Sequence, residues 1–150
     1  MLYLLMDVGP DIYAVATAAV VEVVPCAALK SAPCKLAALA GILNYRGQPV
    51  PVMDAGVLLA DRPCPLRFST RIIVQRVEIG GRERLLGLVG ENITRVRQFA
   101  ESDFVEPGAR AADFPITGRV AVLGDRWVQR LHLESVIPEE LWAILTEEGA

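Results

Sequence analysis

The segment Gly41–Asp54 constrains the fold more than any other part of the chain, because it places an Arg46-Gly47 turn between two apolar, strand-like runs. A glycine directly after an arginine supplies the positive φ of a tight turn and leaves the arginine side chain at the tip. Pro49 and Pro51 remove backbone donors from one edge of the second run. The segment therefore predicts a β-hairpin whose second strand has one unpaired edge.

Composition restricts the class of protein. The chain has 150 residues, of which 53% are hydrophobic and 22% charged, and its net charge is -3. This length suits one compact unit or two small lobes that share an interface. Lysine and arginine are scattered and form no basic block, which argues against nucleic acid as a partner.

Two apolar runs could suggest a membrane or secretion signal, but neither has the required form. The run from Ile12 to Val21 is shorter than the roughly 20 residues that cross a bilayer. The apolar start of the chain meets Asp7 at once and has no basic leader. We expect a cytoplasmic protein without direct membrane insertion.

Candidate catalytic and metal-binding residues are few. Cys26, Cys34 and Cys64 contain no Cys-x-x-Cys pair, and His132 is the only histidine. A zinc site needs four closely spaced ligands, so the pattern favours reduced free thiols and no bound metal or other cofactor. No nucleophile stands in a recognisable arrangement with a base, which predicts that the chain is not an enzyme.

The period of the apolar residues predicts a mostly β fold, with little helix before a short last helix that begins at Pro138. Offsets of 73 and 78 residues lay the two halves of the chain on each other, which indicates an internal duplication. Any two segments with strand-like alternation can be made to agree in part, so a chance overlap stays open. The predicted strands are 2–8, 11–16, 20–24, 41–45, 48–53, 70–78, 84–89, 93–98, 117–123 and 126–132.

The hairpin pattern Asn44-x-Arg46-Gly47, followed by Pro51-Val52-x-Asp54, resembles that of the CheW family, the adaptor proteins of bacterial chemosensory arrays. The resemblance extends over nearly the whole chain. It also includes Tyr13-Ala14-Val15, Val20-x-Glu22-Val23, Leu86-Gly87-Leu88-Val89, Val96 and Gly124-Asp125-Arg126.

This resemblance implies one domain, 1–150, built from two packed five-stranded SH3-like β-barrels. It places their lobes near 15–65 and 70–132, with the terminal segments completing them and Pro63-Cys64-Pro65 as the connection. It also implies a non-catalytic adaptor that couples the cytoplasmic helical hairpin of a chemoreceptor to the regulatory domain of a CheA-type histidine kinase. The kinase-binding residues would be Asn44, Tyr45 and Arg46, and the receptor-binding residues, on a separate face, Val20, Glu22 and Gly41.

Several residues depart from the family pattern. Tyr45 replaces the commoner leucine, Pro49 adds a second proline, and His132 stands where Asp or Asn is usual. These changes are compatible with an adaptor of an auxiliary, non-flagellar surface-sensing pathway. The sequence also leaves open two different classes of protein, a small-molecule-binding β-barrel with its ligand between the lobes and a hydrolase with an unrecognised site.

Overall fold

The computed structural model describes residues 1–26, 29, 36–65, 67–106 and 118–148, and all of their side chains except those at 94 and 144–148. This part of the chain forms nine β-strands and two α-helices. The helices are α1 (Ala55–Ala60) and α2 (Glu139–Glu148). The strands are β1 (Leu2–Val8), β2 (Asp11–Ala16), β3 (Val20–Pro25), β4 (Leu39–Tyr45), β5 (Gln48–Asp54), β6 (Thr70–Ile79), β7 (Arg82–Gln98), β8 (Val120–Leu123) and β9 (Arg126–Arg130).

Strand β7 is 17 residues long and has a different partner in each of its two parts. Its first part pairs antiparallel with β6 as far as Glu91. From Glu91 onward it pairs antiparallel with β1. Asn92, the next residue, has a left-handed φ of 52°, which interrupts regular extended backbone. The strand therefore changes partner next to a backbone irregularity, and it belongs to both halves of the molecule.

The strands form two groups of five that share β7. The first barrel contains β3, β4, β5, β6 and the first part of β7, and the second contains β1, β2, β8, β9 and the second part of β7. The predicted architecture of two five-stranded SH3-like barrels is confirmed. Because β6 pairs with β3, the strand pairing crosses the predicted sequence limits of the lobes, 15–65 and 70–132.

Two parallel pairings, one in each barrel, join the N-terminal and C-terminal parts of the chain. Val52 on β5 is opposite Gly87 on β7, and Ala14 on β2 is opposite Arg130 on β9. The predicted offset of 73 carries Ala14 onto Gly87, and the offset of 78 carries Val52 onto Arg130. The same two offsets thus relate one structural pair to the other, which favours a true duplication over a chance overlap of alternating patterns.

Strand β1 is buried on both faces, which explains its nearly continuous apolar sequence. Tyr3 and Leu5 point into the core of the second barrel, where Tyr3 packs on Phe104 with ring centroids 5.1 Å apart. Met6, on the opposite face, belongs to the larger core that fills the first barrel and reaches the second. Side chains alternate across a strand, so one strand supplies both cores.

Apart from the ends of elements, the predicted secondary structure is wrong at two places. The runs 84–89 and 93–98 are not separate strands but parts of β7. Helix α1 follows directly after β5, although the sequence pattern predicts little helix there. With six residues, α1 is too short to display a helical period, and only its capping residue marks it in the sequence.

The predicted unpaired edge of β5 exists over only part of the strand. Beside its antiparallel partner β4, β5 pairs with β7 at Val52, Met53 and Asp54. The prolines at 49 and 51 precede this second pairing, so the donor-poor edge is confined to 48–51. The prediction of an edge strand along its whole length is therefore wrong.

The C-terminal helix forms where the sequence predicts it. The carbonyl of Pro138 accepts hydrogen bonds from the backbone N–H groups of Leu141 and Trp142, at 3.0 Å each. Leu141 is 1% exposed and belongs to the large core, and Trp142 packs against that core from its edge. Helix α2 therefore packs on the first barrel.

Candidate interaction surface

The β4–β5 hairpin reverses direction through only two residues. Tyr45 and Gln48 are its last paired residues, so Arg46 and Gly47 form the loop. Their φ values, 52° and 82°, are both positive, as in a type I′ turn. The N–H of Gly47 donates a hydrogen bond to Oδ1 of Asn44 at 2.9 Å. Asn44 therefore stabilises the turn that presents Arg46.

The Arg46 side chain projects from this turn and is 77% exposed. Its Nη2 donates to Oε1 of Glu22 at 3.1 Å, and its guanidinium carbon lies 5.2 Å from the centroid of the Tyr45 ring. Exposed ion pairs and exposed cation–π contacts each contribute at most about 1 kcal/mol. The contacts of Arg46 within the chain are therefore weak enough for contacts with a partner to replace them.

Glu22 lies on β3 immediately after a register shift, a β-bulge between Val20 and Glu22 in the pairing with β6. Its side chain is 41% exposed. Oε1 accepts two hydrogen bonds, from the Tyr45 hydroxyl at 2.6 Å and from Arg46 at 3.1 Å. Bulges redirect side chains, and here the bulge precedes the carboxylate that faces the β4–β5 turn. We call Glu22, Tyr45 and Arg46 the hairpin cluster.

The hairpin cluster unites residues that the sequence analysis places on two separate faces. Glu22 comes from the predicted receptor-binding set, and Tyr45 and Arg46 come from the predicted kinase-binding set. The structure brings them within hydrogen-bonding distance because the end of β4 approaches the start of β3. The two predicted binding sets are therefore in direct contact at this point.

The remaining two predicted receptor-binding residues contribute less accessible surface. Val20 is partly buried and packs against the large core. Gly41 is buried within β4, beside a second register shift that separates Leu39 from Gly41 in the pairing with β5. A buried glycine offers no side chain to a partner. Gly41 therefore contributes to the backbone course of β4 and not to an exposed contact surface.

Tyr45 is the residue that links the two sides of the hairpin cluster. Its hydroxyl bonds Glu22 and its ring lies beneath Arg46. The hydrogen bond to the Glu22 carboxylate raises the pKa of the Tyr45 phenol, because ionisation would break that bond and place two negative charges together. Tyr45 is therefore a donor at neutral pH.

Asp54, the last residue of the family-like hairpin motif, has a structural task. Its Oδ1 accepts hydrogen bonds from the N–H groups of Gly56, Val57 and Cys64, at 2.8, 3.3 and 3.1 Å. The first two cap helix α1, and the third ties the connection after α1 back to β5. Sequence reasoning predicted that a carboxylate at this strand end caps a turn but missed the helix, although an aspartate directly before an apolar run is a helix-start signal.

An open groove of about 810 Å³ lies beside Asp54 and α1. A second, more polar cavity of about 400 Å³ lies between the β1–β2 turn and the residues that follow α1. Both open to solvent. Phe68, 99% exposed, stands at the rim of the groove.

In the part of the chain that the structure describes, Cys26, Cys64 and His132 show no catalytic arrangement. Burial raises the pKa of the Cys64 thiol to about 12 and also raises the pKa of the Cys26 thiol, so neither is activated as a thiolate. Cys26 and Cys64 are free, and Cys34 lies outside the described residues. His132 follows the end of β9 and is not within a strand as predicted. Its side chain is exposed, with Nδ1 3.9 Å from a carboxylate oxygen of Glu134.

Within the described ranges, no group of three His, Cys, Asp or Glu side chains is placed to hold a metal ion. The same ranges contain no helix long and apolar enough to cross a membrane.

One polar cluster at the junction of the barrels has no counterpart in the sequence analysis. Asp7 on β1 accepts hydrogen bonds from Asn92 at 2.7 Å and from Arg95, both on β7. These contacts join residues 85 and 88 positions apart in the sequence, and no local motif signals them. They fasten β1 to β7 at the position where β7 changes partner.

The chain is similar to known proteins in sequence pattern and in fold. A family profile described as the CheW-like domain matches residues 2–141. The crystal structure of the scaffolding protein TtCheW from Thermoanaerobacter tengcongensis superposes with a TM-score of 0.73 and 22% sequence identity. The match covers 88% of this chain and 84% of that one. No functionally curated protein matches the sequence.

The match to the family profile includes both barrels and the start of the last helix. The structural match, at its low sequence identity, independently gives the same fold. The chain belongs to the CheW-like family of scaffold and adaptor proteins.

Proposed function

We propose that this chain is a non-catalytic adaptor that couples the signalling tip of a chemoreceptor to the regulatory domain of a CheA-type histidine kinase, at the inner face of the cytoplasmic membrane. The proposal extends the scaffold role of the family to specific partners. Whether its pathway controls taxis or surface behaviour is a separate prediction, which rests on the departures from the family pattern.

The ion pair between Arg46 and Glu22 carries the proposal. Arg46 is an exposed arginine at the tip of a rigid two-residue turn, a side chain suited to pairing with two acceptors across an interface. Glu22, its partner, belongs to the predicted receptor-binding set. An adaptor that must contact two partners at once needs adjacent polar groups whose mutual contacts can be exchanged for contacts with a partner.

The open groove beside α1 supports the same function. Its lining combines small and apolar side chains with a rim of Asp54 and Arg67. Amphipathic helices dock their apolar face into grooves of this kind. A receptor tip is a helical hairpin, so its form fits an open groove.

Binding of the purified chain to two fragments tests the function. The fragments are the regulatory domain of a CheA-type kinase and the cytoplasmic hairpin of a chemoreceptor, both from the source organism, and isothermal calorimetry measures each affinity. We expect binding to each fragment alone and a ternary complex when both are present. Failure to bind either fragment contradicts the proposal.

An assay of kinase activity separates coupling from simple binding. Full-length kinase is mixed with receptor-containing membranes, with and without the adaptor, and autophosphorylation is measured. We expect the adaptor to make the kinase rate depend on receptor ligand. If the autophosphorylation rate does not change with receptor ligand when the adaptor is present, the coupling role is wrong even if both fragments bind.

A further inference from the structure

Tyr45 is built into the hairpin cluster through two separate parts of its side chain. The hydroxyl hydrogen bonds Oε1 of Glu22 at 2.6 Å, while the ring carries the Arg46 guanidinium at 5.2 Å. A leucine at this position would have neither a donor nor an aromatic face. Both contacts of the cluster therefore depend on the tyrosine side chain.

The two donors on Oε1 of Glu22 are unequal. The Tyr45 bond is short, has a charged acceptor, and comes from a partly buried side chain that packs against the large core. Arg46 is 77% exposed and lies at a longer 3.1 Å. If a partner recruits Arg46, Glu22 keeps the Tyr45 bond and its orientation. A carboxylate with Arg46 as its only partner would instead lose its orientation at that moment.

The Glu22 side chain is held on one side and, as a whole, is 41% exposed to solvent. Both hydrogen bonds that the described part of the chain makes to this carboxylate go to Oε1. Tyr45 therefore orients a Glu22 side chain that a partner can still reach. A side chain that is already oriented loses less entropy when a partner binds it.

We propose that Tyr45 is a positioning residue that serves the two binding surfaces with different parts of its side chain. Its hydroxyl holds Glu22 for a donor on the receptor hairpin, and its ring supports Arg46 for an acceptor on the kinase domain. This inference rests on the proposed function and adds to it the residue that orients the two contacting side chains. A carboxylate accepts hydrogen bonds, so the partner group that fits Glu22 is an N–H or O–H donor.

Two substitutions separate the two parts. Tyr45→Phe keeps the ring and deletes only the hydroxyl, and Tyr45→Leu removes both. We expect Tyr45→Phe to weaken receptor-fragment binding about three- to tenfold, because the Glu22 side chain must then be ordered when the partner binds, and to leave kinase-domain binding unchanged. We expect Tyr45→Leu to weaken both. Tyr3→Phe, the same chemical change in the core of the second barrel, is the matched control and should alter neither affinity.

A spectroscopic measurement tests the contact without any partner. Phenolate absorbance is followed as pH rises, and the Tyr45 contribution is isolated by subtracting the Tyr45→Phe curve. The charged groups that face this phenol are Glu22 on β3 and Arg46 on the turn. We expect Glu22→Gln to lower the pKa of Tyr45, because it removes the charge that stabilises the protonated phenol.

The outcomes are distinguishable. If the wild-type chain binds both fragments and Tyr45→Phe binds the receptor fragment equally well, or loses both affinities equally, the inference is wrong and the proposed function stands. The inference is also wrong if Glu22→Gln leaves the Tyr45 titration unchanged. If the wild-type chain binds neither fragment, the proposed function itself fails and the inference fails with it.

Discussion

Nη2 of Arg46, on the β4–β5 turn, lies 3.1 Å from Oε1 of Glu22, on β3. The two strands pair with different neighbours, β4 with β5 and β3 with β6. The side chains therefore join two strand pairs of the first barrel at its surface. This contact is weak enough to break on binding and specific enough to link two surfaces.

The first prediction concerns Arg46→Ala. We expect kinase-domain binding to weaken by about 1–3 kcal/mol, the range of an arginine at the centre of an interface. The free energy of unfolding should change by less than about 1 kcal/mol, because the ion pair that is lost is exposed. Calorimetry and urea denaturation measure the two quantities. Arg76→Ala, at an exposed arginine on β6, is the control and should leave binding unchanged; wild-type affinity of Arg46→Ala contradicts the role of Arg46.

The second prediction uses charge reversal. Glu22→Lys places a second positive charge beside Arg46, so we expect loss of receptor-fragment binding and a weaker kinase contact as well. Melting temperature should fall by only about 1–3 °C, since the ion pair is exposed. The double variant Glu22→Lys/Arg46→Glu restores an attractive pair, and its melting temperature should recover while binding does not. Recovery of binding in the double variant would show that the pair matters only for stability.

The third prediction concerns Asp54, whose carboxylate accepts three backbone N–H groups. Asp54→Ala removes a helix cap and leaves the Cys64 N–H without its acceptor, so we expect a loss of about 2–4 kcal/mol in the free energy of unfolding. Asp54→Asn keeps one carbonyl oxygen and should lose less. Urea denaturation measures both, with Asp125→Ala at an exposed turn as control. Equal stability of Asp54→Ala and wild type refutes the capping role.

The fourth prediction concerns Gly87, opposite Val52 in the parallel pairing. A Cβ at this position would lie 2.8 Å from Cγ2 of Val52 and 3.0 Å from Cγ2 of Ile72. Both are branched core side chains with little room to move, so Gly87→Ala should destabilise the fold by about 1–3 kcal/mol. Gly90→Ala meets the flexible end of Met6 and should be less harmful. Thermal unfolding compares the two, and a reversed order contradicts this account of the packing.

The parts of the fold that were predictable depend on local signals. The Arg46-Gly47 turn, the start of α2 after Pro138 and most strands follow from turn chemistry, capping and alternation. The continuity of β7 could not be predicted in this way. Asn92 breaks the alternation that marks a strand, yet β7 continues through it because β6 and β1 pair with it on either side.

The candidate site also contains one feature that local sequence signals predict and one that they do not. Exposure of Arg46 follows from its place at a turn tip, and the structure agrees. The bond between Tyr45 and Glu22 depends on the approach of β4 to β3 and on a bulge after Val20. Strict alternation along β3 gives no hint of that bulge. The predicted place of Glu22 on a separate face follows from the family resemblance and not from the strand pattern. Contacts between strands that are distant in sequence are set by barrel closure, which no local pattern encodes.

The 17 residues of β7 belong to both barrels, so the two barrels share one strand. The strands of the first barrel come from one continuous stretch of chain, but this stretch ends inside β7, and the second barrel takes its strands from both ends of the sequence. Thermal unfolding should therefore be a single transition detected alike from either core. We expect a displacement of one barrel to move the other with it, because one uninterrupted strand is paired in both.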